Sequence, residues 1–348
     1  MTRVLDALLL TAGRLLYRLR LHRLVMWLNA GAPKVLVYHA CEERESSFLR
    51  GLDSNTTPAE LAQHLDFLRR FYSVVPLEAL SRTDLPRRAV AITFDDGYRS
   101  VYKNAFPLLK QFDVPATVFL VSSAVDNERL VWVNELTWFL HEHPTIARHA
   151  LASWLTIGRS ADVPAIIHSA KLHFDAEAIE RTIESAAAEA HVSRYELARR
   201  AELFLDWRHV EEMSRRRVSF GSHTATHANL TRLSRASLRR ELAVAQEAVR
   251  QRLGACSALA YPFGAWNEEA FATAVELGHE IIAEIGGDNA RLDLRHVGRV
   301  PVRARDDATL FAELEVAAPI RALARRVLRP RSATRTPSST ASPTTIEV

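Results

Sequence analysis

From residue 33 onward, short runs of unbroken hydrophobicity alternate with stretches whose apolar positions recur every three or four residues. The runs VLVYH (35–39), AVAITF (89–94), ATVFLV (116–121), RVSFGS (217–222), ALAYP (258–262), EIIAEI (280–285) and RVPV (299–302) predict β-strands. Continuous rather than alternating hydrophobicity marks strands covered on both faces, as in a parallel sheet or barrel. Helical patterns fall between them at 58–71, 98–112, 234–253 and 267–277, so the body reads as repeated βα units. The first of these helices has an N-cap candidate in Thr57, a proline at its first position and Glu60 close behind.

One stretch breaks the rhythm. Residues 125–207 hold Trp132, Trp138, Trp154 and long runs such as AEAIERTIESAAAEA, which predict two or three helices and no strand, an insertion between βα units. In barrels the loops at the C-terminal ends of strands frame the active site, so the insertion either shapes substrate access or covers sheet surface.

The two ends differ from the body. Residues 4–28 place Leu5, Leu8, Leu9, Leu15, Leu16, Leu19, Val25 and Leu28 at helical spacing, with Arg14, Arg18, Arg20 and Arg23 between them. Such a basic amphipathic helix packs on its domain, attaches to an anionic membrane surface, or serves as a signal peptide; Asp6 and Arg14 leave the apolar core short for the last use. The cytoplasm is the expected compartment, with peripheral membrane contact through residues 4–28 left open. No uncharged apolar run approaches the roughly 20 residues of a membrane-spanning helix. Beyond Pro330 the run SATRTPSSTASPTT buries too little apolar surface to offset the entropy of ordering, which predicts a disordered tail. The expected division is an N-terminal helix (1–30), a main domain (31–312) and a basic helix end with its tail (313–348).

At 348 residues, 48% hydrophobic and 25% charged, the composition is that of a globular protein. Two cysteines, Cys41 and Cys256, exclude a disulfide framework and a four-thiolate metal site. The net charge of +4 divides into +4 over residues 1–30, +5 over 321–348 and −5 over the rest. The body is therefore mildly acidic, and no nucleic-acid partner is expected.

The chemistry-bearing residues follow strands. Asp95 and Asp96 close AVAITF and precede Gly97-Tyr98. Carboxylates at the mouth of a parallel sheet allow one to bind a metal while its neighbour takes a proton; a helix N-cap is the competing use. His223 and His227 stand at i and i+4 in GSHTATHANL, directly after RVSFGS, a spacing that lets two imidazoles converge on one ion if the segment turns helically. One carboxylate and two histidines form a three-ligand set for a divalent ion with positions left for water and substrate, the arrangement of a catalytic site. His141, His143 and His149 lie in the insertion and read as a solvated helix end.

Thr93-Phe94-Asp95-Asp96-Gly97 and His223-Thr224-Ala225-Thr226-His227, in that order, resemble the first two motifs of the NodB-homology polysaccharide deacetylases, carbohydrate esterase family 4. Ala260-Tyr261-Pro262-Phe263-Gly264 resembles the third, and the likeness runs over roughly residues 33–305. It implies an α/β fold, an irregular (β/α) barrel of seven or eight strands with a helical insertion. The implied function is a metal-dependent hydrolase removing N-acetyl groups from amino sugars of a polysaccharide or lipid-linked glycan. The likeness also implies Asp95 as catalytic base and Asp96, His223 and His227 as ligands of a divalent metal ion, often zinc. The Phe263 backbone N–H is implied as an oxyanion donor, with Tyr261, Pro262 and Phe263 along the sugar groove; core packing is the competing use of both aromatics.

Two departures stand out. Ala260 occupies the place of an arginine that orients the catalytic aspartate; Arg299 or Arg303 must substitute, and Arg299 is preferred because it starts a strand of the same sheet. No leucine-rich strand ending in histidine follows residue 264, but Val35-Leu36-Val37-Tyr38-His39 has that form at the other terminus. First and last strands of a barrel are neighbours, so the resemblance is to a permuted subgroup in which His39 is the general acid. Deformylation of a lipid-linked aminosugar, and a catalytically silent glycan-binding module, remain as rival functions.

Overall fold

The computed structural model describes residues 3–152, 161–173, 175–286 and 289–328. Its eight strands are β1 (Lys34–Tyr38), β2 (Ser73–Val74), β3 (Ala89–Phe94), β4 (Ala116–Leu120), β5 (Val218–Ser222), β6 (Ala258–Ala260), β7 (Ile281–Ile285) and β8 (Val297–Pro301). They follow the order β1-β8-β7-β6-β5-β4-β3-β2, and β1 also pairs with β3. All these pairings are parallel. Seven strands therefore close into a barrel, while β2 attaches to β3 outside the ring. Each of the seven hydrophobic runs is a barrel strand, and β2 is too short to leave a pattern.

Period-two alternation fills the barrel. Val35, Ala91, Phe119, Ala258, Ala260, Ala283 and Val297 point into one buried cluster. Four alanines leave room for two large groups, Phe119 and the fully buried Arg299, whose guanidinium carbon lies 5.3 Å from the Phe119 ring centre. Gly221 has no room for a side chain: an added Cβ would sit 2.7 Å from two Phe119 carbons and 2.9 Å from the Ala258 carbonyl oxygen.

Helices Pro58–Phe71, Phe106–Phe112, Arg235–Leu253 and Glu268–Glu276 flank the strands. The first starts with a capping box, Thr57 Oγ1 accepting from the Glu60 amide and the Glu60 carboxylate accepting from the Thr57 amide. The predicted helix 98–112 is instead a π-turn, Val101–Ala105, running into Phe106–Phe112.

Among the described residues the insertion holds five helices, not two or three: Trp132–Glu142, Pro144–Ala150, Val163–His173, Ala176–Glu189 and Arg194–Ala201. Proline starts the second, and Asp175 and Ser193 cap the last two with side-chain oxygens, so local caps cut the continuous Ala-rich pattern into short pieces. The insertion has its own core, including Trp132, Leu136, Phe139, Ile166 and Ile183. Trp154 falls outside the described residues, as does the tail beyond Pro330.

The N-terminal pattern forms two helices, Arg3–Arg18 and His22–Leu28, separated where Arg20 adopts a left-handed φ of 61°. Leu9, Leu16 and Tyr17 pack on the barrel domain. Gly13 meets Ala312 so closely that a Cβ would lie 2.4 Å from the Ala312 Cβ. Among the described residues no helix is long and apolar enough to cross a membrane.

Candidate active site

The barrel's alternation carries its inward register one residue past each strand end. Residues 35 and 37 face inward on β1, so His39 does too; 91 and 93 lead to Asp95, and 219 and 221 lead to His223. All three line one cavity of about 230 Å³ at the C-terminal mouth. A regular continuation would turn Asp96 the other way, but a left-handed φ of 70° swings it into the same space. Thr224, His227 and Phe263 also take left-handed φ values of 69°, 61° and 60°. Such conformations cost of order 1–3 kcal/mol each and persist where surrounding structure enforces them.

His223 and His227 do not converge through a helical turn. Their segment is irregular, held by the His227 amide donating to Thr224 Oγ1 (3.2 Å), the Thr226 amide donating to Glu241 Oε1 (2.6 Å), and the Trp132 indole N–H donating to the His227 carbonyl (3.1 Å). The result still brings donor atoms of Asp96, His223 and His227 within 4.8 Å of one another.

This cluster fits a metal ion. His223 Nδ1 lies 2.8 Å from the Ala260 carbonyl; a carbonyl cannot donate, so the proton is on Nδ1 and Nε2 presents a lone pair. That lone pair is 3.5 Å from Asp96 Oδ1, and His227 Nε2 is 3.3 Å from the same oxygen. Asp96 Oδ1 is buried and accepts no hydrogen bond from a described residue. The His223 lone pair facing this carboxylate repels it unless a cation lies between, and His227 Nδ1 has no hydrogen-bond partner among the described residues that would fix its tautomer. Ligands bound at about 2.1 Å in tetrahedral geometry stand roughly 3.4 Å apart, close to the separations found.

Asp95 is held differently. Arg299 donates from Nη1 to Oδ1 (2.6 Å) and from Nη2 to Oδ2 (2.8 Å), and also from Nη1 to Thr93 Oγ1 (3.2 Å). Burial pushes the Asp95 pKa up, but the guanidinium outweighs it and holds the carboxyl well below its ordinary value. Burial also pushes the histidines down, His227 to about 3 and His39 below its usual value despite the pull of Asp96 and Asp95. At neutral pH the site therefore holds ionised Asp95 with neutral His39 and His227.

A family model for polysaccharide deacetylases matches residues 82–282, more than half of the chain. The chain belongs to the polysaccharide deacetylase family. The matched stretch includes Asp95, Asp96, His223, His227 and the 260–264 segment; His39 and Arg299 lie outside it. The poly-beta-1,6-N-acetyl-D-glucosamine N-deacetylase of Staphylococcus epidermidis is 40% identical over 52 residues, 15% of this chain and 18% of that protein. YxkH of Bacillus subtilis is 25% identical over 134 residues, 36% of this chain and 46% of that protein. The chain thus spans less than half the length of these relatives. Among solved structures, the Streptococcus pyogenes deacetylase PplD in complex with acetate aligns with a TM-score of 0.54 and 18% identity, over 82% of this chain and 98% of that one. IcaB from Ammonifex degensii aligns with a TM-score of 0.53 and 20% identity, over 81% and 97%. At these identities the two structures show a common fold.

The third deacetylase motif is divided in its surroundings. Tyr261 is 1% exposed, stacks on Trp266 (6.2 Å between centres) and belongs mainly to the core. Phe263 stands edge-on to His227 at 4.5 Å and helps wall the cavity, where Gly264 at φ 64° avoids a clash with Ile285. Arg303 also lines the cavity, but the bidentate contact to Asp95 comes from Arg299. His279 is buried away at a helix end, and His296 stacks on Phe271. His141 bonds to the Arg50 carbonyl and His149 pairs with Glu189. Sequence reasoning missed Lys171, which the insertion brings to the cavity, and the brace that Trp132 of the same insertion gives the His227 carbonyl; both sit in patterns indistinguishable from ordinary helix faces.

Proposed function

We propose that this chain is a metal-dependent hydrolase removing N-acetyl groups from amino sugars of a polysaccharide or lipid-linked glycan. One observation carries the reading: the buried Asp96, His223 and His227 cluster beside a second carboxylate, Asp95, that is ionised and clamped. A divalent ion held there, zinc by the chemistry of two imidazoles and a carboxylate, supplies Lewis acidity toward water and the acyl carbonyl. Asp95 takes the proton of the attacking water; its clamp fixes both oxygens, and its low pKa makes it a weak base that readily passes the proton on. His39, neutral at rest, takes up a proton and delivers it to the leaving nitrogen as the C–N bond breaks, giving a free amine and acetate. The Phe263 N–H, in the left-handed turn after Pro262, supports the developing oxyanion.

Acetate release from N-acetylglucosamine oligomers, with metal content measured on the same samples, tests the proposal. Wild type should hold one ion per chain and release acetate; Asp95→Asn should keep the ion and lose about 10²–10⁴-fold in rate. Formate release from N-formyl sugars alone would assign a deformylase. Stoichiometric metal with no acyl release from any glycan would leave a binding module.

We further infer that the terminal helices seat the protein on an anionic membrane. Of the fourteen large hydrophobic side chains exposed among the described residues, eleven lie in residues 4–28 and 320–323. Leu8 and Leu15 lie exposed on the outer side of Arg3–Arg18, away from the face that packs on the barrel domain, and exposed Leu19 follows just past the helix end. Arg321 pairs with Asp6 and joins the last helix to this surface. Arg18, Arg20 and Arg23 are exposed and pair with no carboxylate among the described residues, so the apolar face carries positive charge. Flotation with vesicles should recover the full chain on phosphatidylglycerol-containing bilayers more than on neutral ones. Leu15→Glu/Leu19→Glu should abolish recovery; equal recovery of that variant would exclude this surface.

A further inference from the structure

The helix Val163–His173 ends against the loop that follows His227. Asn229 Nδ2 donates to the Lys171 carbonyl (3.1 Å), and the Arg232 guanidinium donates to the Leu172 carbonyl, so side chains of that loop cap the helix end. Lys171 is thereby fixed at the junction of two cavities. One is the catalytic mouth; the other, about 320 Å³, lies between the insertion and the loop after β5 and is walled by Trp132, Ile179, Glu180, Arg194 and Asn229. The Lys171 ammonium stands 5.1 Å from the centre of the Phe263 ring, which itself rests edge-on against His227.

Charge is unevenly matched around this second cavity. Arg129 pairs with Glu180 (2.7 Å), and Arg194 with Glu135 (2.6 Å) and Glu180 (2.8 Å); Arg232, the third guanidinium on the wall, caps the Leu172 carbonyl, and Glu177 pairs with Arg181 (3.3 Å). The partly buried Lys171 ammonium has no hydrogen bond or ion pair to a described residue; burial lowers its pKa, and the Phe263 ring and the longer-range field of Asp96 support its charge. A partly desolvated cation without a counter-charge carries a cost that is recovered when a ligand brings the anion. Hydroxyls and acetamides of a neutral hexosamine do not supply one.

We propose that the cavity beside the catalytic mouth is a subsite for the adjoining unit of the glycan, and that Lys171 selects units bearing an anionic substituent, a carboxylate or a phosphate. The inference rests on the deacetylase reading for the identity of the glycan. Its volume falls in the range of small-molecule pockets and leaves the acetylated sugar in the catalytic mouth. Lys171 is then a specificity-determining residue contributed by the insertion.

The test compares wild type, Lys171→Met and Lys171→Arg on three oligomers: neutral N-acetylglucosamine, one with a carboxylate on the unit next to the scissile acetamide, and one with a phosphate there. Wild type should favour an anionic oligomer in kcat/KM by at least tenfold, mainly through KM. The ratio should fall toward one in Lys171→Met and return in Lys171→Arg, and the arm that responds names the anion. Equal kcat losses on all three oligomers would overturn the subsite and make Lys171 part of the chemistry. Calorimetric binding of the same oligomers to Asp95→Asn, with and without Lys171→Met, separates the two readings. A Lys171-dependent affinity gap without acetate release from wild type would sink the deacetylase assignment alone, whereas equal affinities would sink the subsite.

Discussion

Replacing Arg299 with Met leaves a buried aspartate without its counter-charge, and the consequences can be worked through in the metal-free protein. Arg299 is 0% and Asp95 2% exposed, so solvent screens the pair little; breaking such a pair from one side costs about 3–5 kcal/mol. The pH dependence has a definite sign. In wild type the Asp95 pKa lies below its unfolded value, so the pair's stabilisation is complete above about pH 4 and fades as pH falls through the native value. In Arg299→Met, burial acts without the guanidinium and raises the pKa. The native state then holds a proton that the unfolded chain releases, and stability falls as pH rises from about 4. Urea unfolding at pH 4.5 and 7.5 should show the variant weakened mainly at the higher pH. Arg299→Met/Asp95→Asn should regain most of the deficit, because no charge is left buried. A loss under about 1 kcal/mol at pH 7.5, or a double variant no more stable than the single, would refute the buried pair.

Three further outcomes are expected. Added Zn²⁺ should raise the melting temperature of wild type, since the ion binds the folded site, and His227→Ala should erase that rise and the bound metal together; a shift retained in the variant would place the ion elsewhere. Gly221→Ala should destabilise by about 1–3 kcal/mol through overpacking against the Phe119 ring and the Ala258 carbonyl, and Phe119→Leu should relieve only the part due to the ring, as denaturant unfolding of the double variant would reveal. Glu313, 6% exposed, has its pKa pushed up to about 7 by burial, so its native form holds a proton that the unfolded chain gives up near pH 4.5. Stability should therefore decline between about pH 5 and 7, and Glu313→Gln should flatten that decline and gain up to about 3 kcal/mol at pH 8; an unchanged pH profile would show that the carboxylate is solvated.

Barrel, strand order of the motifs and the four residues of the candidate site were readable because each rests on local information. Period-two burial writes itself as hydrophobic runs, and a residue just past a strand's end inherits that strand's register, which places His39, Asp95 and His223 at one mouth. Less could be read where neighbours in space are strangers in sequence. The i, i+4 spacing of His223 and His227 suggested a helix, yet the two meet through left-handed turns braced by Thr224, Glu241 and Trp132. The insertion, with its Ala-rich runs, read as two or three helices because composition does not register the caps that divide its described residues into five.

What the chain determined by itself is the alternation of strands and helices and the supply of two carboxylates and two imidazoles at strand ends, both consequences of backbone periodicity. The choice of Arg299 over Arg303 as the partner of Asp95 was decided only when the barrel closed: β8 lies beside β1, and alanines at 91, 258, 260 and 283 leave an interior channel through which a long side chain reaches the mouth. The entry of Lys171 was decided in the same way, because a charge comes to face a distant site through packing that no local pattern encodes.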